Sequence, residues 1–123
     1  MYWLSRVTIN LDTVFSLMAR ANTQGQGGYR VGSCMARGLF SCGPSEVNLF
    51  ISNSSATIAA TPFTPGTDWH NYYVEFRGNS IKLLVDANVM LEAADNSFIS
   101  GGRVGLSSNR NQISVRKFRV IML

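Results

Sequence analysis

The chain has 123 residues, of which 46% are hydrophobic and 15% charged, with a net charge of +4. That balance suits one packed domain spanning 1–123 and excludes a disordered chain. No apolar run approaches the roughly 18 residues of a membrane-spanning helix, and the opening "MYWLSRVTINLD" has neither the long apolar segment nor the small-residue cleavage site of a secretory signal.

Apolar residues recur with a period of two almost throughout, which predicts β-strands. "WLSRVTINL" reads as a first strand with Val7 and Ile9 on one face, and "TVFSLMARA" as a second. "NTQGQGG" is a Gly-rich turn; lacking a following Lys-Ser/Thr and a helix, it is not a phosphate loop. "YRVGSCMA" and "VNLFISN" are further strands, separated by a hairpin turn at Arg37-Gly38 and by Gly43-Pro44. That turn sets Cys34 opposite Cys42. A disulfide, implying an oxidising compartment, and a pair of buried thiols both fit. Two thiols and a single His fall short of a zinc site. Asn53 opens "NSS", an N-glycosylation pattern. "ATIAATPF" is a short strand ending at Pro62, and "TPGTD" a turn.

The clearest segment follows. Tyr72, Val74 and Phe76 alternate with Tyr73, Glu75 and Arg77; Gly78-Asn79 turns the chain; Ile81, Leu83 and Val85 then alternate with Lys82, Leu84 and Asp86. The apolar set of each arm is expected to face one core. Trp69 falls one residue out of step with Tyr72, which predicts a bulge or a strand start there, with the ring packed inward. A turn at Ala87-Asn88 leads into "NVMLEA"; "ADNSFISGG" is a loop; "RVGLSSN" and "ISVRKFRVIML" close the chain. About ten short strands without a helical period define an all-β sandwich or barrel.

The order of features resembles the concanavalin A-like lectin/glucanase superfamily, and within it the laminin-G-like jelly rolls of bacterial glycan-binding modules and 3-keto-disaccharide hydrolase-type domains. The residues that carry the resemblance are "SLMARA" with Arg20, "GGYRVG" with Tyr29, "WHNYYVEFRGNSIKLLVD", "FISGGRVGL" and "ISVRKFRVI". It covers nearly the whole chain and implies a two-sheet antiparallel jelly-roll sandwich. Two departures stand out. Such domains begin with a further strand or two, so the resemblance implies a sheet trimmed at the N-terminus or completed by another chain. Their last strand often carries an Asp where this chain has Val115-Arg116-Lys117, which weakens a calcium site carried over from them, because Ca²⁺ needs several oxygen ligands. No cofactor is expected.

Glucanases of that superfamily carry a strand of alternating carboxylates. The nearest run here is "LEAADN", where Glu92 and Asp95 would face opposite sides of a strand, so turn chemistry and solubility are their expected roles. No catalytic residue is expected. His70, the chain's one histidine, should point away from the core as a surface or ligand-contact group. The outward row Tyr73, Glu75, Arg77, Lys82, Leu84 and Asp86 mixes an aromatic ring with charged groups. Sugars are held by such platforms plus polar groups that fix hydroxyls. Tyr29 and Arg30 are expected to join that face. Arg20 is expected either to pair with Glu75 or Asp86 or to fork onto sugar hydroxyls.

The leading expectation is therefore a non-catalytic, lectin-like module holding an oligo- or polysaccharide on an exposed sheet face or in rim loops. The alternative is an interaction domain that forms a homodimer through a sheet edge; a glycan-processing enzyme ranks third. Arg103, Arg110, Arg116, Lys117 and Arg119 have no acid among or after them. A solvated edge strand explains them better than nucleic-acid binding, since no exposed aromatics are expected among them. A chain starting at Met1 would be cytoplasmic, and a domain cut from a longer secreted protein extracellular.

Overall fold

The computed structural model describes residues 4–11, 15–21, 27–35, 47–53, 55–64, 69–98, 103–107 and 115–122. Ten strands run through them: β1 (Leu4–Leu11), β2 (Ser16–Ala21), β3 (Tyr29–Met35), β4 (Val47–Ser52), β5 (Thr57–Pro62), β6 (His70–Arg77), β7 (Ser80–Val85), β8 (Asn88–Ala94), β9 (Arg103–Ser107) and β10 (Val115–Met122). They form two five-stranded antiparallel sheets. One has the order β10-β1-β6-β7-β8 (sheet A), the other β5-β4-β3-β2-β9 (sheet B). This is the all-β, two-sheet sandwich that the resemblance implies, where the alternating pattern alone allows a barrel as well.

The pattern acts through burial. In β6, Tyr72, Val74 and Phe76 are buried while Asn71, Tyr73, Glu75 and Arg77 are not. In β7, Ile81, Leu83 and Val85 are buried. Register sets the two strands' apolar sets side by side, Tyr72 opposite Val85, Val74 opposite Leu83 and Phe76 opposite Ile81. With Leu91 they meet Phe15, Leu17, Ala19, Tyr29, Val31, Leu49 and Ile51 of sheet B in one core. A one-residue slip would expose that whole set, so the register is strongly specified. Asn48 and Phe50 alternate with Leu49 and Ile51 on β4 yet are also buried, so sheet B is covered on its outer side there as well.

Two hairpin turns fix sheet A. Between β6 and β7, Gly78 alone takes positive φ (58°), the type II′ arrangement that suits strand twist. Between β7 and β8 the turn residues are Asp86 (φ 50°) and Ala87 (φ 70°), both left-handed as a type I′ turn demands. The turn therefore lies one residue earlier than the expected Ala87-Asn88, and Asn88 already pairs with Val85.

Two other expectations are corrected. Trp69 does not join the core: it is half-buried, and the Arg116 guanidinium lies 3.9 Å over its ring. β2 begins at Ser16, and the residues 12–14 before it lie outside the described ones. Cys34, on β3, is disulfide-bonded; Cys42 and the Arg37-Gly38 turn lie outside the described residues.

Candidate functional site

Sheet A has a solvent-facing side because the strand period leaves every second residue outside. Across it, Tyr73 sits opposite Leu84, Glu75 opposite Lys82, and Lys82 opposite Glu92. Charge is matched along this row: Lys82 Nζ is 3.4 Å from Glu92 Oε1, and Arg77 Nε is 3.6 Å from Glu75 Oε1. The Tyr73 hydroxyl donates to Glu75 Oε2 at 3.3 Å, which holds the ring against the sheet.

Toward the β7–β8 turn the row opens into a shallow depression of about 550 Å³ lined by Asn71, Tyr73, Leu84, Asp86 and Ala87. Its acidic residue is held by three bonds, two to the carboxylate and one through its backbone. His70 Nδ1 lies 2.7 Å from Asp86 Oδ2, the Asn71 amide donates to Asp86 Oδ1 at 2.9 Å, and the Asp86 amide donates to the Asn71 carbonyl at 2.8 Å. The His70 hydrogen bond, reinforced by the Asn71 amide, holds the Asp86 carboxyl below its ordinary range, so it is ionised at neutral pH. The His70 ring packs edge-on against Phe63 and Tyr72, at 5.6 and 6.1 Å between centroids. It braces Asp86 from behind, while the Asp86 side chain remains 48% exposed. The result is a fixed acceptor beside an aromatic ring and a leucine, a pairing suited to a ligand with hydroxyls on one side and C–H groups on another.

The structure thus gathers Tyr73 and Asp86 at one spot, with Glu75, Arg77 and Lys82 farther along the same side. His70 does not point away from the core as expected: it lies on the same face of β6 as the buried Tyr72, its ring rests on Phe63 and Tyr72, and it reaches Asp86 from that inner side. Asn71 and Ala87 line the depression and were not singled out from the sequence. Alternation with Tyr73 could have found Asn71; Ala87 carries no sequence signal.

Tyr29 and Arg20 are elsewhere. Both are buried between the sheets. The Tyr29 hydroxyl donates to Asp95, with the backbone oxygen at 2.8 Å and Oδ1 at 2.9 Å, and accepts from the Phe98 amide at 3.2 Å. Arg20 takes positive φ (53°) where β2 shifts register against β9. Its guanidinium donates to the carbonyls of Gly78 and Phe98 and lies over the Phe76 ring. Glu75 and Asp86, its expected partners, are engaged instead with Arg77 and Tyr73 and with His70. Arg30 is exposed on β3 of sheet B, away from the Tyr73 side.

Glu92 is exposed and pairs with Lys82, while Asp95 performs the turn chemistry expected of it and adds contacts beyond the turn. Asp95 accepts from Tyr29, from Asn53 Nδ2 at 3.0 Å and from the Ser97 amide at 2.8 Å. The Ser97 bonds foremost, with those of Asn53 and Tyr29, lower its pKa to about 2. Asn53, of the "NSS" pattern, is fully used: its Oδ1 accepts from the amides of Ser55 and Ala56. Among the described residues no three His, Cys, Asp or Glu side chains gather as metal ligands, and no helix is long and apolar enough to cross a membrane.

No family model and no curated protein matches the chain. Its fold is similar to that of a solved structure, the carbohydrate-binding module CBM66 from Bacillus subtilis. The TM-score is 0.63 at 20% sequence identity, over 97% of this chain and 73% of that one. At that identity the likeness establishes the β-sandwich fold.

Proposed function

We infer that this chain is a non-catalytic carbohydrate-binding domain and that it holds sugar in the depression at the β7–β8 turn. The observation that carries the reading is Asp86, a half-exposed carboxylate fixed by His70 and the Asn71 amide beside the Tyr73 ring and Leu84. The neighbour of like fold is itself a carbohydrate-binding module, which supports the same reading. In it, Tyr73 and Leu84 receive the C–H face of a sugar ring, while Asp86 and Asn71 bind its hydroxyls. Among the described residues lining the depression Asp86 is the one carboxylate, which suits binding better than glycoside hydrolysis, where two carboxyl groups flank the scissile bond.

A glycan array followed by calorimetry tests this. Wild-type protein is expected to bind at least one oligosaccharide. Tyr73→Ala and Asp86→Asn should each weaken it by about tenfold, the loss expected for one well-placed ring or charged hydrogen bond. If no sugar binds, the reading is wrong.

A second reading, self-association through a sheet edge, draws on β10, an eight-residue edge strand with Val115 and Phe118 exposed. Against it, β10 departs from regular register where Arg116 is inserted opposite β1, and antiparallel self-pairing about the middle of the strand would bring the basic cluster Arg116, Lys117 and Arg119 of one copy against that of the other. Sedimentation showing a dimer at micromolar concentration would favour it.

A further inference from the structure

The solvent-facing side of sheet A is electrically uneven. On β6, β7 and β8 each described carboxylate has a close partner: Glu75 with Arg77, Glu92 with Lys82, Asp86 with His70. On β10, among the described residues, Arg116, Lys117 and Arg119 are exposed and none is in a salt bridge.

Register places these cations beside the depression. Tyr73 is opposite Thr8 on β1, which is opposite Arg119; Asn71 is opposite Asn10, which is opposite Lys117. Directly opposed residues share a face. Val120 packs on the core, so by alternation Arg119 and Lys117 face outward, with Tyr73 and Asn71. Phe118 lies between them in sequence and is 43% exposed, against the expectation of no exposed aromatic among these basic residues, but by alternation it belongs to the opposite face. On β10, among the described residues, no ring therefore stands between the two cations on their own side. Arg116 is tethered over Trp69, just before β6.

Two strand spacings separate β10 from β6, roughly 10 Å. That is close to the Debye length of about 8 Å at physiological ionic strength, so the positive field reaches the depression with moderate screening. A ligand seated on Tyr73 and crossing β1 would bring its next groups onto Lys117 and Arg119. Those groups gain most if they are carboxylates or sulfates, because the cations there have no internal partner to give up.

We propose that the ligand of this site is an acidic glycan, whose neutral ring face rests on Tyr73 and Leu84 and whose anionic groups lie over Lys117 and Arg119. The proposal rests on the carbohydrate-binding reading above. Polyanion binding by charge alone, as to single-stranded nucleic acid, is the competing source of affinity; it would use a ring alternating with the cations along the strand, and among the described residues β10 sets none between Lys117 and Arg119 on their side.

The probes are a galacturonate oligosaccharide, a heparin tetrasaccharide, neutral xylan- and fructan-derived oligosaccharides, and oligo-dT, titrated calorimetrically in 50 mM and 300 mM salt (concentrations on the order of those bracketing physiological screening). At least one acidic sugar should bind more tightly than every neutral one. The Lys117→Gln/Arg119→Gln double variant should weaken that binding by about fivefold to tenfold, as two exposed charges allow, and should flatten its salt dependence. These are exposed edge positions, and an unchanged melting temperature would confirm that the variant folds. Equal or tighter binding of a neutral sugar, or an acidic sugar insensitive to the double variant, overturns the acidic-glycan proposal and leaves carbohydrate binding standing. Failure to bind any sugar overturns both. Oligo-dT binding as tightly as the acidic sugars, with no loss in Tyr73→Ala, overturns it in favour of unspecific polyanion attraction.

Discussion

Tyr72 carries a buried hydroxyl that has no hydrogen-bond partner among the described residues. Its ring is fully buried and packs 4.6 Å from that of Phe15. Burial and the nearby Asp86 charge push its pKa up, so it stays neutral. A buried, unpaired hydroxyl has lost its water without a replacement. Tyr72→Phe should therefore raise stability by about 1 kcal/mol, seen as a rise of about 4 °C in melting temperature. A fall in sugar affinity with no gain in stability would show instead that the hydroxyl reaches the ligand. Ala87 stores a related cost. Its left-handed φ of 70° clashes with a β-carbon. Ala87→Gly should relieve that and lose part of the gain to chain entropy, a net stabilisation of about 0.5–1 kcal/mol by urea unfolding.

At the scale of elements, the join of β2 to β3 depends on one glycine. The Ser33 amide donates to the Phe15 carbonyl at 3.0 Å, and the Phe15 amide donates to Ser33 Oγ at 3.1 Å. A β-carbon on Gly32 would collide with that same carbonyl. Because the obstacle is backbone, relief requires the strand entry to move and both bonds to lengthen. Gly32→Ala should cost about 2–4 kcal/mol, read as a lower urea midpoint. The strands themselves were legible. Period-two alternation identified the inward sets of β6 and β7, and Gly78-Asn79 marked their turn. The β7–β8 turn was misplaced by one residue because Asp86-Ala87 lacks the glycine that usually signals positive φ, so Ala87-Asn88 looked equally apt. Trp69 was misread because its environment comes from Arg116, 47 positions away (116 − 69) and on another strand. The candidate site was half legible for the same reason. Alternation put Tyr73 and Asp86 outside, but nothing local revealed that His70 braces Asp86, or that Arg20 and Tyr29 turn inward toward Gly78, Asp95 and Phe98. The His70 contact depends on the turn geometry at the end of β7 within sheet A, and those of Arg20 and Tyr29 are made by the meeting of sheets.

Across the whole molecule, polar clamps and the candidate site occupy opposite ends. Arg20 and Tyr29, from sheet B, reach the Gly78 carbonyl and Asp95 at the β6–β7 turn end of sheet A, where the Asp95 amide also donates to the Asn79 carbonyl at 2.9 Å. Asp86 and His70 lie at the far end of β7, roughly 20 Å away at the rise of an antiparallel strand. Stability and binding should therefore separate. Asp95 has a folded pKa of about 2, below the ordinary carboxylate value of 3.8. A depressed carboxylate stabilises the fold fully above its unfolded pKa and loses that contribution as pH falls through its folded one. Between about pH 4 and pH 2, unfolding should thus become easier, with Asp86, also depressed, contributing in the same direction. In Asp95→Asn the Oδ2 acceptor facing Asn53 becomes an amide donor, two donors oppose each other, and the acid-sensitive term from this position disappears. The variant should lose about 1–2 kcal/mol at pH 7, show a shallower loss from pH 4 to 2, and bind sugar at pH 7 as tightly as wild type. A parallel loss of affinity in this variant would mean that the two ends communicate through β7, and that the site depends on the clamp as well as on its own turn.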